Sequence, residues 1–230
     1  MGFNKYEKRG AYHWEQIGKH PIKANAFVKA RYHMCIDLLK RHKPPQINTS
    51  VLDLGCGDGA LTWMLQENGY SASGIDTSEL GIQLAKQEHQ KRNSKCGFQC
   101  IHSTELPDQS FDVIVCSDVI EHVPDAEGLL HDIQRLLKPE GIAVLSTPIR
   151  FTEFPLDKEH VIEWFPSEWR NLFENHDVIE FVESHPVALM EWMNWKLSRI
   201  LLNIIANFKN PFIVRAHFRY FSLRYCVFQK

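Results

Sequence analysis

The stretch VLDLGCGDGAL, from Val51 to Leu61, constrains this chain more than any other. Its apolar start reads as a buried strand, and the apolar run that opens at Ala60 reads as a helix. The glycines between them make a turn in which backbone amides can approach a ligand, with the helix N-terminus presenting N–H groups behind it. Strand, glycine turn and helix in this order open a β-α-β unit, which implies a parallel sheet with helical crossovers.

The rest of the chain repeats that rhythm. After a helix over 59–68, SASGID (71–76) is a second strand, and Ser78 opens a helix running through SELGIQLAKQEHQKRN. GFQCIH (97–102), FDVIVC (111–116) and GIAVLST (141–147) are further strands, with an amphipathic helix over 126–137 before the last. Lys138-Pro139-Glu140-Gly141 reads as a helix stop and turn. Beyond Pro148 come a loop, a helix starting at Pro166 and a sixth strand, DVIEFVES (177–184). A helix over 188–208 then carries Trp192, Leu197, Ile200, Leu201, Ile204 and Phe208 on one broad face, and HFRYFSLRYCVFQK alternates as a final, antiparallel strand.

At 230 residues this is one domain: a helical lid or cap over 1–45, a ligand-binding core over 46–150, and a substrate-side half over 151–230 with a helical insertion at 188–208. Six cysteines without a CxxC pair, several in apolar runs, fit reduced thiols in a cytoplasmic protein. The N-terminus has no apolar signal core, and LSRILLNIIANF is too short to span a bilayer. The net charge of −2 is uninformative, but from Trp192 to Lys230 there are seven Lys or Arg and no acid.

The glycine motif also fits the dinucleotide fingerprint, Gly55-x-Gly57-x-x-Ala60, so its neighbours decide what it holds. Asp53 points a carboxylate at the loop, which repels a pyrophosphate by roughly a kcal/mol. Beside the ammonium and sulfonium of S-adenosylmethionine the same charge is favourable. Asp76 ends the second strand, placed to accept both hydroxyls of a ribose. The structural alternative for both carboxylates is helix capping.

VLDLGCGDG, GID, FDVIVCSDVIEHVPD and LLKPEGIAVLSTP, in this order and spacing, resemble the class I S-adenosylmethionine-dependent methyltransferases, in the style of their quinone- and sugar-methylating subgroup. The likeness runs from Val51 to Pro148. It implies a Rossmann-like, mostly parallel seven-stranded sheet in the order 3-2-1-4-5-7-6, flanked by helices, with the last strand antiparallel. It also implies that Asp53, Gly55, Cys56 and Gly57 surround the methionine part of the cofactor and that Asp76 and Thr77 meet its ribose. The family's adenine loop often reads Asp-Ala-x-x-Leu-Pro. This chain has HSTELP, so Ser103 or Thr104 would serve there. Ser117 and Asp118, after strand four, would face both cofactor and acceptor, and the spent cofactor would leave as S-adenosylhomocysteine.

SDVIEHVPD then places Asp118, Glu121 and His122 in one turn. His122 has the ordinary pKa of a general base for a hydroxyl acceptor, about 6.5. It could instead hydrogen-bond the backbone and fix the turn. Quinone O-methyltransferases and methyltransferases of small-RNA 3′ ends carry Glu-x-x-Glu-His, and DKEHVIEW resembles the RNA enzymes' HxFEW, so His160 is a second candidate base or ligand. On that resemblance Asp118, Glu121, His122 and His160 form a mixed oxygen and nitrogen site for Mg, Mn, Fe or Zn, able to chelate a vicinal diol. Tyr12, His13 and Trp14 could fold over the site as a lid, or anchor a docked helix. Trp164, Phe165 and Trp169 read as packing.

For the C-terminal region three readings stand: a wall of the acceptor pocket or homodimer face, contact with a membrane surface through 188–230, or nucleic acid, for which the basic field is too narrow. The expectation is an O-methyltransferase, monomeric or homodimeric, acting on a small molecule: a sugar, glycan, polyol or phenol. The alternatives are a metal-assisted quinone-type or RNA-end enzyme, and an inactive cofactor-binding partner subunit.

Overall fold

β1 (Ser50–Leu54), β2 (Ser71–Asp76), β3 (Gly97–Cys100), β4 (Phe111–Ser117), β5 (Leu137–Pro148), β6 (Asp177–Pro186) and β7 (Phe221–Gln229) form one sheet in the order β3-β2-β1-β4-β5-β7-β6. The structure is a computed structural model that describes residues 5–151, 157, 159–213 and 220–230. β1 to β5 pair in parallel, with Asp53 opposite Gly74 on one side and Val115 on the other. β7 inserts antiparallel between β5 and β6. This is the expected fold class.

The sheet is covered on both faces, as parallel strands require. Val51, Val113, Val115, Val144 and Val227 point to the side of α3 (Ala26–His42) and α4 (Ala60–Glu67). Their neighbours Leu52, Ile114, Cys116, Leu145 and Phe228 meet α6 (Ala126–Leu136) and α7 (Pro166–Asn171) on the other. The N-terminal α1 (Lys5–Arg9) and α2 (Tyr12–Gln16) precede α3, and α5 (Glu79–Lys91) begins at Ser78, whose hydroxyl accepts from Gly81 N as expected of a cap.

Two local expectations are corrected. Lys138 to Gly141 is not a turn but the entry of β5: Leu137 already pairs with Phe111, and the register shifts before Ile142. Glu140, at φ +60, absorbs that irregularity. The long helix expected over 188–208 is broken into α8 (Val187–Trp192) and α9 (Lys196–Ile205). Its apolar stripe also faces the opposite way from a packed wall. Leu197 is 82% and Phe208 86% exposed, while Leu202, Asn203 and Ala206 are buried against Ala26 and Ala30 of α3. Of the C-terminal basic residues, Arg215 and Arg219 lie outside the described residues. Among the described residues no helix is long and apolar enough to cross a membrane.

Candidate active site

The glycine loop is shaped by close approach rather than by free amides. Gly55 (φ +76) and Gly57 (φ +52) are left-handed. A Cβ at Gly55 would strike Val119, and one at Gly57 the hydroxyl of Tyr6. The N–H groups of Gly55 and Cys56 both donate to the carbonyl of Ile75, at 2.9 and 3.0 Å, and Gly57 N donates to Asp76 Oδ2 at 2.8 Å. The amides of Gly55, Cys56 and Gly57 are therefore spent inside the loop.

The two strand-end carboxylates are held by local hydrogen bonds, but neither caps a helix: Gly59 stands at the N-cap of α4 and Ser78 at that of α5. Asp53, 2% exposed, accepts from the Thr62 hydroxyl at 2.6 Å near the start of α4. Asp76 accepts from Ser78 N at 2.7 Å as well as from Gly57. Burial pushes the Asp53 carboxyl up to about 7 against the hydrogen bonds from Thr62, with Asp76 and Asp58 adding to the rise. Burial also raises Asp76. Each oxygen retains a lone pair for a ligand. Cys56 is buried beside them and Thr77 is exposed at the end of β2. On the adenine side, Ser103 is buried and its hydroxyl is committed to Asp132 Oδ2 at 2.6 Å, whereas Thr104 is exposed.

After β4 the chain turns sharply. Asp118 takes φ +55, with its N–H donating to the Ser146 carbonyl and the Ser117 hydroxyl 2.9 Å from that of Ser146. Its carboxylate pairs with Arg31 of α3, a buried guanidinium. Asp118 Oδ1 and Arg31 Nε keep no hydrogen-bond partner among the described residues.

A single 3₁₀ turn, Ile120–His122, follows. Ile120 anchors it in the core and Glu121 is fully buried, with Oε2 accepting from Thr147 at 3.1 Å and Oε1 without a hydrogen-bond partner among the described residues. The Glu121 carbonyl accepts from Val161 N and Ile162 N, at 2.8 and 3.2 Å. Those bonds clamp the 160–163 segment against the turn. His160 and His122 consequently meet edge to face, with ring centroids 4.9 Å apart. His122 Nδ1 lies 3.1 Å from the Glu159 carbonyl, which assigns its proton to Nδ1. His160 Nδ1 lies 2.5 Å from Glu163 Oε1. Ligand atoms from Glu121, His122 and His160 all fall within 4.8 Å of one another. Asp118, expected as a fourth member, is not in that group and is paired with Arg31 instead. Burial raises the Glu121 carboxyl, and burial also lowers His122, with His160 and Lys5 adding to the depression.

The N-terminal helices lie over both halves. Tyr6 is buried on the glycine loop, His13 N and Trp14 Nε1 donate to Asp58 Oδ2 and its carbonyl at 3.0 and 2.7 Å, and Lys5 pairs with Glu159 at 2.5 Å. Tyr12 and Trp14 are buried, so docked aromatic anchors describe this segment. Trp164 and Trp169 are core, as expected. Arg31, Asp58 and Glu163 were missed as site residues; only Glu163, three residues after His160, carried any local signal.

A glycine loop beneath two strand-end carboxylates, at the carboxyl ends of a 3-2-1-4-5-7-6 sheet, defines a class I S-adenosylmethionine-dependent methyltransferase. The chain belongs to the Methyltransferase domain family, whose model matches residues 27–196. It is 32% identical over 138 residues to a ubiquinone biosynthesis O-methyltransferase of Idiomarina loihiensis, covering 57% of each chain. A protein of the same name from Rickettsia bellii is 26% identical over 195 residues, 81% of each. The chain thus spans little more than half the length of the first of these relatives. Coclaurine N-methyltransferase, solved with N-methylheliamine and S-adenosylhomocysteine, has the same fold at a TM-score of 0.61 and 17% identity, over 87% of this chain and 72% of that one. The cofactor is S-adenosylmethionine.

Proposed function

We propose that this enzyme methylates a hydroxyl of a phenolic, quinone-type ring bearing vicinal hydroxyls. The observation that carries the proposal is the cluster of Glu121, His122 and His160 on the turn after β4. The Nδ1 atom of each imidazole is held in place, His122 against the Glu159 carbonyl and His160 against the Glu163 carboxylate. The relatives named for ubiquinone biosynthesis support an aromatic acceptor. The sugar or glycan acceptor expected from the sequence has no such support.

One carboxylate and two imidazoles suit a divalent cation. Glu121 Oε1, buried and without a hydrogen-bond partner among the described residues, is an atom that an ion would satisfy. Glu121, His122 and His160 would hold it, and when bound it lowers the pKa of a coordinated hydroxyl. The buried Glu163 orients His160 for either ligation or proton acceptance.

When bound, S-adenosylmethionine supplies a methyl group on a sulfonium. Asp53, Gly55, Cys56 and Gly57 are assigned to its methionine part, Asp76 and Thr77 to its ribose, and Thr104 with the Ser103 backbone to its adenine. Ser117 and Asp118 lie between cofactor and acceptor in this reading, and α1 and α2 roof the site against water.

The test is an acceptor panel: an ortho-diphenol, a phenol with one hydroxyl, and a sugar diol, each with and without added Mg or Mn. Methylation of the ortho-diphenol alone, stimulated by the cation, is expected. Equal methylation of the sugar would overturn the acceptor assignment, and indifference to the cation would leave His122 or His160 as the base.

A further inference from the structure

α9 is amphipathic the wrong way round for a helix that serves only its own protein. Leu197, Leu201, Ile204 and Phe208 recur at helical spacing and are 82, 53, 43 and 86% exposed. Trp192 and Trp195, at 53 and 74%, extend the same apolar surface through the break from α8. Scattered exposed apolar residues are ordinary, but a contiguous set of this size marks a contact.

The inward face packs Leu202 and Ala206 on α3, and the polar groups beside them fix the orientation. Asn203, 1% exposed, accepts from Ala26 N at 2.8 Å and donates to the carbonyls of Pro21 and Ala24 at 2.8 and 2.7 Å. One turn on, Asn207 Oδ1 accepts from Lys29 Nζ at 2.6 Å, and Asn210 donates to Ala30 O at 3.0 Å. Rotating the leucines inward would strand these groups, each at the cost of a buried unsatisfied polar atom. The outward stripe is therefore built in.

Charge selects the occupant. Lys196 and Arg199 on α9, Lys209 just after it and Lys19 on the loop packed beneath are exposed, and none has an acidic partner within ion-pair distance among the described residues. No acid occurs anywhere from Trp192 to Lys230, and Glu191, exposed near the end of α8, is the one acid on these two helices. A second copy would bring the same positive rim against itself, whereas a bilayer with anionic headgroups complements it. Tryptophans at the edge of the stripe suit the headgroup level.

We infer that α8 and α9 form a docking face for the surface of an anionic lipid bilayer. The face reaches the site through α3, whose Ala26 and Ala30 pack on α9 while Arg31 pairs with Asp118. If the acceptor is a ring with a lipid tail, docking brings the site to where that acceptor resides. This purpose rests on the proposed function; the docking itself does not.

Flotation with phosphatidylcholine vesicles containing one quarter phosphatidylglycerol, against pure phosphatidylcholine, tests it. The full chain should bind the anionic vesicles, and high salt or neutral lipid should cut binding about ten-fold or more. Leu197→Ser with Phe208→Ser should abolish binding, and Lys196→Glu with Arg199→Glu should weaken it at least about ten-fold, with S-adenosylhomocysteine affinity unchanged in both. Absent vesicle binding by the wild type, or binding undiminished in the serine variant, overturns the inference. So does a dimer that Phe208→Ser splits in the absence of lipid binding, which would assign the face to a second copy. Any of these with cofactor binding intact leaves the methyltransferase reading standing, and loss of cofactor binding by the wild type would sink that reading separately.

Discussion

Glu163, 2% exposed, holds His160 Nδ1 at 2.5 Å, and the same three-residue step brings Val161 N onto the carbonyl of Glu121. A buried carboxylate behind one imidazole and a backbone clamp behind the other fix two rings that the sequence separates by 38 positions, from 122 to 160. This arrangement is the basis of the first prediction.

Glu163→Gln keeps the shape of the residue but removes the charge that orients His160. Turnover, and the affinity for a stimulating cation, should fall by about ten- to a hundred-fold, while S-adenosylhomocysteine affinity by calorimetry stays the same. A purely structural Glu163 would instead lower the unfolding temperature and leave cation affinity alone.

His122→Ala and His160→Ala should each reduce turnover by roughly a hundred-fold or more, the scale of a lost base or ligand. Cofactor affinity should hold in both. Turnover that survives in His122→Ala would mean that this ring only hydrogen-bonds Glu159 and fixes the turn.

Asp76→Ala removes the acceptor for the ribose hydroxyls and the bond that holds Gly57. Cofactor binding should weaken by about 1–3 kcal/mol, read by calorimetry with S-adenosylhomocysteine. Unchanged affinity would reduce Asp76 to a brace between the N–H groups of Gly57 and Ser78.

Asp53 gives a pH dependence with a defined sign. Burial raises its carboxyl from 3.8 to about 7. A cationic amino group binds the ionised form, so S-adenosylmethionine affinity should rise as pH passes from 6 to 8, and Asp53→Asn should flatten that rise. For stability the linkage runs the other way. Between 3.8 and about 7 the folded protein holds a proton that the unfolded chain has released. The stabilising contribution is full below the lower value and is lost as pH rises through the upper one. Urea unfolding of the cofactor-free protein across this range measures it.

The sheet was legible because its information is local. Val113 to Cys116 and Ile142 to Leu145 are unbroken apolar runs, Val51 to Leu54 is interrupted only by Asp53, and β2 was read to the residue. Asp53 and Asp76 were found from their place at strand ends. Arg31 was not, because nothing near it in sequence announces a partner 87 residues away. Asp58 was not singled out either, because its partner, the backbone N–H of His13, lies 45 residues earlier in the chain. The stripe on α9 was seen, but periodicity shows only that a helix has two faces. Which one faces the protein was decided by Asn203 and its three long-range hydrogen bonds. The break after Trp192 likewise had no glycine or proline to mark it.

Transfer of a labelled methyl group from S-adenosylmethionine to an ortho-diphenol, by wild type and by His160→Ala, tests the central claim most directly. The account predicts one methyl ether per cofactor consumed in the wild type and a loss of roughly a hundred-fold in the variant. A wild type that binds S-adenosylhomocysteine yet leaves the diphenol unmethylated, or a variant as active as the wild type, would contradict it.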